Sequence, residues 1–141
     1  MRRRTEIHGL LSDINIQGQV AILRLILEGA EWGSIWAELA LPILTFPDMG
    51  LDREAPDAVI WRLCQARGLI LLTGNRNDDG PDSLESTIRN ENSLDSLPVL
   101  TLADVEAVRR SRAYAERVVE KLVDYLVNVE NYRGTGRLYL P

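Results

Sequence analysis

Four short apolar runs that never alternate with polar residues set the tightest limit on how this chain can fold. They are Leu10-Leu11, ending at Ser12-Asp13, then Pro42-Ile43-Leu44-Thr45-Phe46, Leu69-Ile70-Leu71-Leu72-Thr73 and Leu97-Pro98-Val99-Leu100-Thr101. A strand with one wet face alternates polar with apolar; a strand covered on both faces does not. The runs therefore predict buried strands of a parallel sheet. Helical spacing fills the gaps between them. Gln17 to Glu28 carries a broad apolar face, and Glu31 to Ala40 places Trp32, Ile35, Trp36 and Leu39 at three- and four-residue steps. Asp57 to Arg67 stops at Gly68, and Ser83 to Asn90 is a shorter candidate capped by Asp82 or Ser83. A long helical stretch follows Thr101-Leu102-Ala103-Asp104, which has the form of a capping box. It is expected to run to about Asn131 with a break near Ser111. Leu138-Tyr139-Leu140-Pro141 is expected to dock as an edge strand or a clamp.

Strand and helix alternate, which specifies a three-layer α/β/α sandwich with a mainly parallel sheet of four to five strands. At 141 residues the chain matches one domain, residues 1–141, with a core over 7–104 and a long C-terminal helix and tail over 105–141. No apolar run approaches the ~20 residues that span a bilayer. Met1-Arg2-Arg3-Arg4 is followed by Thr5-Glu6-Ile7-His8 rather than by a signal-like apolar segment. The expectation is a cytoplasmic protein with no membrane partner.

Composition removes several chemistries. Cys64 is the only cysteine, which excludes a disulfide framework and a Cys-based zinc site, and His8 is the only histidine, which argues against a His-ligated metal site and a triad built on a central imidazole. Metal chemistry would have to use oxygen ligands and a hard ion such as Mg²⁺ or Mn²⁺. The net charge of −5 argues against a surface built for duplex binding. Fifteen of the sixteen basic residues are Arg. A GC-rich genome explains that better than Arg chemistry does.

In an open parallel sheet, ligands bind beyond the carboxyl ends of the strands. Asp13 and Asn15 follow the first run, Pro47-Asp48 the second, Thr73, Asn75, Arg76, Asn77, Asp78 and Asp79 the third, and Thr101 and Asp104 the fourth. Asp57 opens the helix that leads into the third. The topology lets these oxygen-bearing side chains converge. Each also has a plainer role. Asp13 either caps a helix or ligates a metal. Asp57 suits the positive end of a helix, as does Glu85. Asn75 to Asp82 is rich in turn formers. Trp32, Trp36 and Trp61 read as core rather than as stacking platforms.

The order Asp13, Pro56-Asp57, Ala66-Arg67-Gly68 and Leu71-Leu72-Thr73-x-Asn75-x-Asn77 resembles the PIN-like domains of bacteria, relatives of the PIN-domain toxin ribonucleases. The resemblance covers roughly residues 7 to 104. It implies a PIN-like fold and metal-dependent hydrolysis of RNA phosphodiester bonds. By analogy, Asp13, Asp57, Asn75 and Asp78 would be catalytic, and Asp13, Asp57, Asn75, Asn77, Asp78 and Asp79 would hold Mg²⁺ or Mn²⁺. Asn15, Thr73, Arg76, Arg133 and Arg137 would meet the substrate or orient a ligand, although each Arg also reads as a surface or structural residue. RNA, an antitoxin protein and a second copy of the chain are the partners implied, the last also by the apolar stripe of the long helix. One departure counts against activity: Asn75 and Asn77 stand where the ribonuclease pattern has acids. Asp78, Asp79, Asp82 or Glu85 would have to supply the missing charge. The alternative is a catalytically inactive domain that binds RNA, a nucleotide or a protein partner. A phospho-receiver site is excluded because no Asp ends the third run and Lys121 lies within a helix. A nucleophile elbow and a Walker loop are absent.

Overall fold

Both faces of the central strands are covered by apolar side chains, as non-alternating runs require. The computed structural model describes residues 5–74 and 83–141. The elements run β1 (Gly9–Ser12), α1 (Gln17–Leu27), α2 (Gly33–Leu39), β2 (Ile43–Leu44), α3 (Asp57–Arg67), β3 (Leu69–Gly74), α4 (Leu84–Glu91), β4 (Val99–Leu102), α5 (Val105–Arg110), α6 (Arg112–Val127) and β5 (Arg137–Leu140). The five strands lie in the order β2-β1-β3-β4-β5 and every pair is parallel. The architecture is a three-layer α/β/α fold.

The register decides which side chains share a layer. Leu10, Ile70, Leu72, Leu100 and Leu102 face α1, α5 and α6, where Leu23, Val108, Val118 and Leu122 meet them. Their strand neighbours Leu11, Leu69, Leu71 and Val99 face the other way, onto Ile60, Trp61 and Cys64 of α3 and Leu84 and Ile88 of α4. A fully buried leucine contributes about 2–3 kcal/mol, against about 1 kcal/mol net for a hydrogen bond. Strands of two to six residues are thus held mainly by the helices above and below them.

Several boundaries differ from the sequence reading for local reasons. The Pro42–Phe46 run gives only Ile43–Leu44 as strand: Pro42 has no N–H, though its carbonyl accepts the Leu10 N–H at 2.9 Å. Leu97-Pro98 lies before β4 for the same reason, and the Gln65 amide takes the place of a strand there. Its Oε1 accepts the Leu97 N–H at 2.8 Å and its Nε2 donates to the Leu97 carbonyl at 2.9 Å. Thr101 does not cap the long helix. It belongs to β4, and Asp104 caps α5 by accepting the Ala107 N–H at 3.1 Å. The break near Ser111 is present, and Ser111 caps α6 by accepting from Tyr114 at 3.1 Å. The C-terminal run is an edge strand. The apolar stripe of α6 is core: Ala115, Val118, Val119, Leu122 and Leu126 are all buried, so it offers no free face for a second copy. Trp61 is buried, and Trp32 and Trp36 pack half-buried against the core.

Candidate functional site

The strand order reverses direction between β1 and β3, since β1 connects outward to β2 and β3 connects outward to β4. Such a reversal opens a crevice at the carboxyl ends of the two strands. Asp13 stands there, one residue past β1. Its N–H donates to the Leu72 carbonyl at 2.9 Å, which extends the ladder to the last residue before the crevice. The Thr73 hydroxyl donates to Asp13 Oδ2 at 2.7 Å across the gap. Asp13 is 5% exposed and Thr73 1%. The capping role is present but weak: the Asn15 N–H reaches Asp13 Oδ1 only at 3.4 Å. The exposed Asn15 itself lies on the rim.

Thr73 follows Leu69 and Leu71 in alternation, so its side chain lies on the face covered by α3 and α4. Its register partner on β4 is Thr101, which is fully buried. The Thr101 hydroxyl accepts Arg137 Nη1–H at 2.8 Å, and Arg137 Nη2 lies 3.0 Å from Glu85 Oε2. A row of polar groups thus crosses β1, β3, β4 and β5 on one face of an otherwise apolar sheet. Buried polar groups are costly unless hydrogen-bonded; here Thr73 bonds Asp13, and Thr101 separately bonds Arg137. Sequence reading missed the Thr101–Arg137–Glu85 part of the row. Its one visible signal was that the third and fourth apolar runs both end in Leu-Thr.

Asp57 opens α3, and its Oδ2 accepts the Leu84 N–H at 3.1 Å. That bond ties the amino ends of α3 and α4 together, while Ser83 caps α4 by accepting from Ser86 at 3.1 Å. Asp13, Asp57, Thr73 and Glu85 are therefore all at the carboxyl edge. Gly74 and Ser83, the two ends of the loop that joins β3 to α4, are there too. Asn75, Arg76, Asn77, Asp78, Asp79 and Asp82 lie outside the described residues.

Two of the expected substrate residues have other tasks. Arg133 is placed at the opposite edge of the sheet. Its guanidinium, 3% exposed, pairs with Glu130 at 2.6 Å and donates to the carbonyls of Asp95 at 3.0 Å and Thr5 at 2.8 Å. Both carbonyls precede strands, so Arg133 clamps the amino ends of β1 and β4 and does not face the crevice. Arg137 is at the site but fully engaged by Thr101 and Glu85. Burial on the core-facing side of α3 pushes the Cys64 thiol up to about 12, so it stays protonated and is no nucleophile.

The donor chemistry at the edge is that of a hard cation site, carboxylate and hydroxyl oxygen without nitrogen or sulfur. Its number is short: among the described residues no three His, Cys, Asp or Glu side chains are grouped to hold a metal ion. Next to the edge, on the α1 side of the sheet, lies an open cleft lined by Ser12, Gln17, Val20, Arg24, Ile43 and Thr45. It is mainly apolar and includes neither Asp13 nor Asp57. Among the described residues no helix is long and apolar enough to cross a membrane.

Replacing Thr73 by valine keeps the shape and removes the donor to Asp13. A hydrogen bond to a charged group contributes about 1.5–3 kcal/mol. Urea denaturation of Thr73→Val is expected to show a loss in that range, and a loss below about 0.5 kcal/mol would mean that Asp13 does not depend on this hydroxyl.

No family model matches the chain. No curated protein and no solved structure matches it either.

Proposed function

We propose that the chain is a PIN-like, Mg²⁺- or Mn²⁺-dependent ribonuclease. The observation that carries this reading is the buried Asp13 carboxylate at the β1/β3 switch point, held by Thr73. A carboxylate fixed in one orientation at a crevice suits a metal ligand, because second-shell hydrogen bonds set the angle at which the ligand meets the ion. Asp13 and Asp57 would hold the metal, with Asp78 and Asp79, and the side-chain oxygens of Asn75 and Asn77, as the other donors. The ion would supply an activated water and offset charge on the phosphoryl oxygens. Thr73 keeps Asp13 aimed into the crevice, Asn15 lies on the rim toward the substrate, and Arg76 would meet the phosphate. RNA is the proposed substrate, with an antitoxin protein or a second copy of the chain as the proposed protein partner. The cytoplasm is the proposed compartment.

A second reading is a non-catalytic relative that binds RNA, a nucleotide or a protein through the same crevice. The short count of carboxylates among the described residues favours it, as do Asn75 and Asn77. Each replaces a charge with a neutral oxygen, which weakens the pull on a divalent ion. Calorimetric titration with Mn²⁺ separates the two. The ribonuclease reading expects saturable binding by the wild type and its loss in Asp13→Ala. No heat of binding from the folded wild type would leave the second reading.

A further inference from the structure

The open cleft on the α1 side of the sheet takes no part in the chemistry proposed for the crevice. Its volume is about 480 Å³, within the range of roughly 300–1,000 Å³ that small-molecule sites occupy. β1 contributes Ser12 to the lining, α1 contributes Val20, Arg24 and Leu25, and the edge strand β2 contributes Ile43. Val20 is buried, Ile43 half-buried and Leu25 71% exposed, so the apolar wall runs from the core out to solvent. One cation borders this wall. Arg24 Nη2 donates to the Ile43 carbonyl at 3.1 Å, which ties the guanidinium of α1 to β2. That bond fixes the head group and leaves its other N–H donors for a ligand. Arg24 is the one charged residue among those that line the cleft, and the polar remainder, Ser12, Gln17 and Thr45, is neutral. The Asp48 carboxylate is not in the lining; it accepts the Thr45 N–H at 2.8 Å. Inside the cleft the positive charge is therefore unopposed.

We propose that this cleft binds a small amphipathic carboxylate, whose acid group meets Arg24 and whose apolar body lies on Val20, Leu25 and Ile43. A planar guanidinium grips a carboxylate in two places. One anchored cation beside a wall without carboxylates matches one anionic group per ligand. A second anionic group would lie on apolar surface without a partner, which is costly. A neutral ligand would cover the wall but forgo the charged pair. The cleft would bind such an acid whether or not the crevice is a ribonuclease site.

The test titrates the isotope-labelled chain with phenylbutyrate and follows the backbone amide resonances by NMR. Saturable shifts are expected at Val20, Ala21, Leu25 and Ile43. Phenylbutanamide, which keeps the body and loses the charge, should bind about ten-fold more weakly, and acetate, which lacks the body, should not saturate. Arg24→Gln should weaken phenylbutyrate by a similar factor and leave the binding of phenylbutanamide unchanged, a split that mere loss of structure would not give. Ala21→Phe, which fills the cleft from an exposed position of α1 with Arg24 intact, should abolish the binding of both. The proposal is overturned if the wild type shows no saturable shift, or if the shifts are confined to crevice residues such as Thr73 and Leu84. Equal affinity for the acid and the amide, equal binding of the acid by Arg24→Gln and wild type, or binding that survives in Ala21→Phe overturns it as well.

Discussion

On the proposed ribonuclease reading, Asp13→Asn is expected to lower RNA hydrolysis by about a thousand-fold while leaving the fold intact. The substitution keeps the shape, and the amide oxygen still accepts the Thr73 hydroxyl, so the polar row survives. What changes is the charge offered to a cation. About 4 kcal/mol of transition-state stabilisation corresponds to a factor of a thousand, and a metal ion acting as Lewis acid supplies several kcal/mol. The measurement is a Mg²⁺- or Mn²⁺-dependent cleavage assay, with circular dichroism as a check that the variant folds. Full activity in Asp13→Asn would remove Asp13 from the chemistry, whatever the crevice binds. Asp57→Asn tests the same idea less cleanly, because Asp57 also joins α3 to α4 through Leu84.

The largest effect expected on stability is at Gly68, far from any chemistry. Gly68 ends α3 in a left-handed turn with φ of 70°, and its carbonyl accepts the His8 N–H at 2.7 Å. A Cβ there would collide with the Glu6 carbonyl oxygen and lie 2.9 Å from His8 Cδ2. Gly68→Ala therefore combines the left-handed penalty, about 1–2 kcal/mol, with displacement of the segment entering β1. A total loss of about 3 kcal/mol is expected in urea denaturation. A loss under about 1 kcal/mol would show that the residues before β1 move aside easily. Gly50 gives a useful contrast. It has a similar φ of 67° but nothing within 4 Å of its Cβ position, so Gly50→Ala should show the backbone penalty alone.

The strands were legible because covering both faces of a sheet leaves long unbroken apolar runs. Leu69 to Leu72 has no polar residue, and it is the central strand. Edges were harder to place. Pro42 and Pro98 lie within apolar runs, yet each lacks the N–H that a strand ladder uses, so the strands start after them. A mainly parallel sheet of four to five strands and the position of Asp13 past β1 follow from the order of elements; that the C-terminal run is a fifth strand and every pair is parallel comes from the fold. The roles of the arginines do not. Arg133 and Arg137 flank the same Gly-rich turn and look alike in sequence. Three residues from Arg133 lies Glu130, and the chain reversal sends Arg133 to the amino edge of the sheet. Arg137, four residues later, begins a strand and reaches along it to Thr101 and Glu85. Only the fold separates the two.

The strand order has a consequence for how the chain reaches this state. β1 is an inner strand, and Leu10 pairs with Ile70, sixty positions away. Until β3 exists, β1 has only the two-residue β2 beside it. Contacts between distant segments must be closed against the entropy of the intervening loop, which slows the search. The crevice at Asp13 is formed by the same late pairing that completes the centre of the sheet. A nascent chain short of β3 therefore holds an apolar strand with one side open, the kind of surface that chaperones bind and that aggregates when they do not.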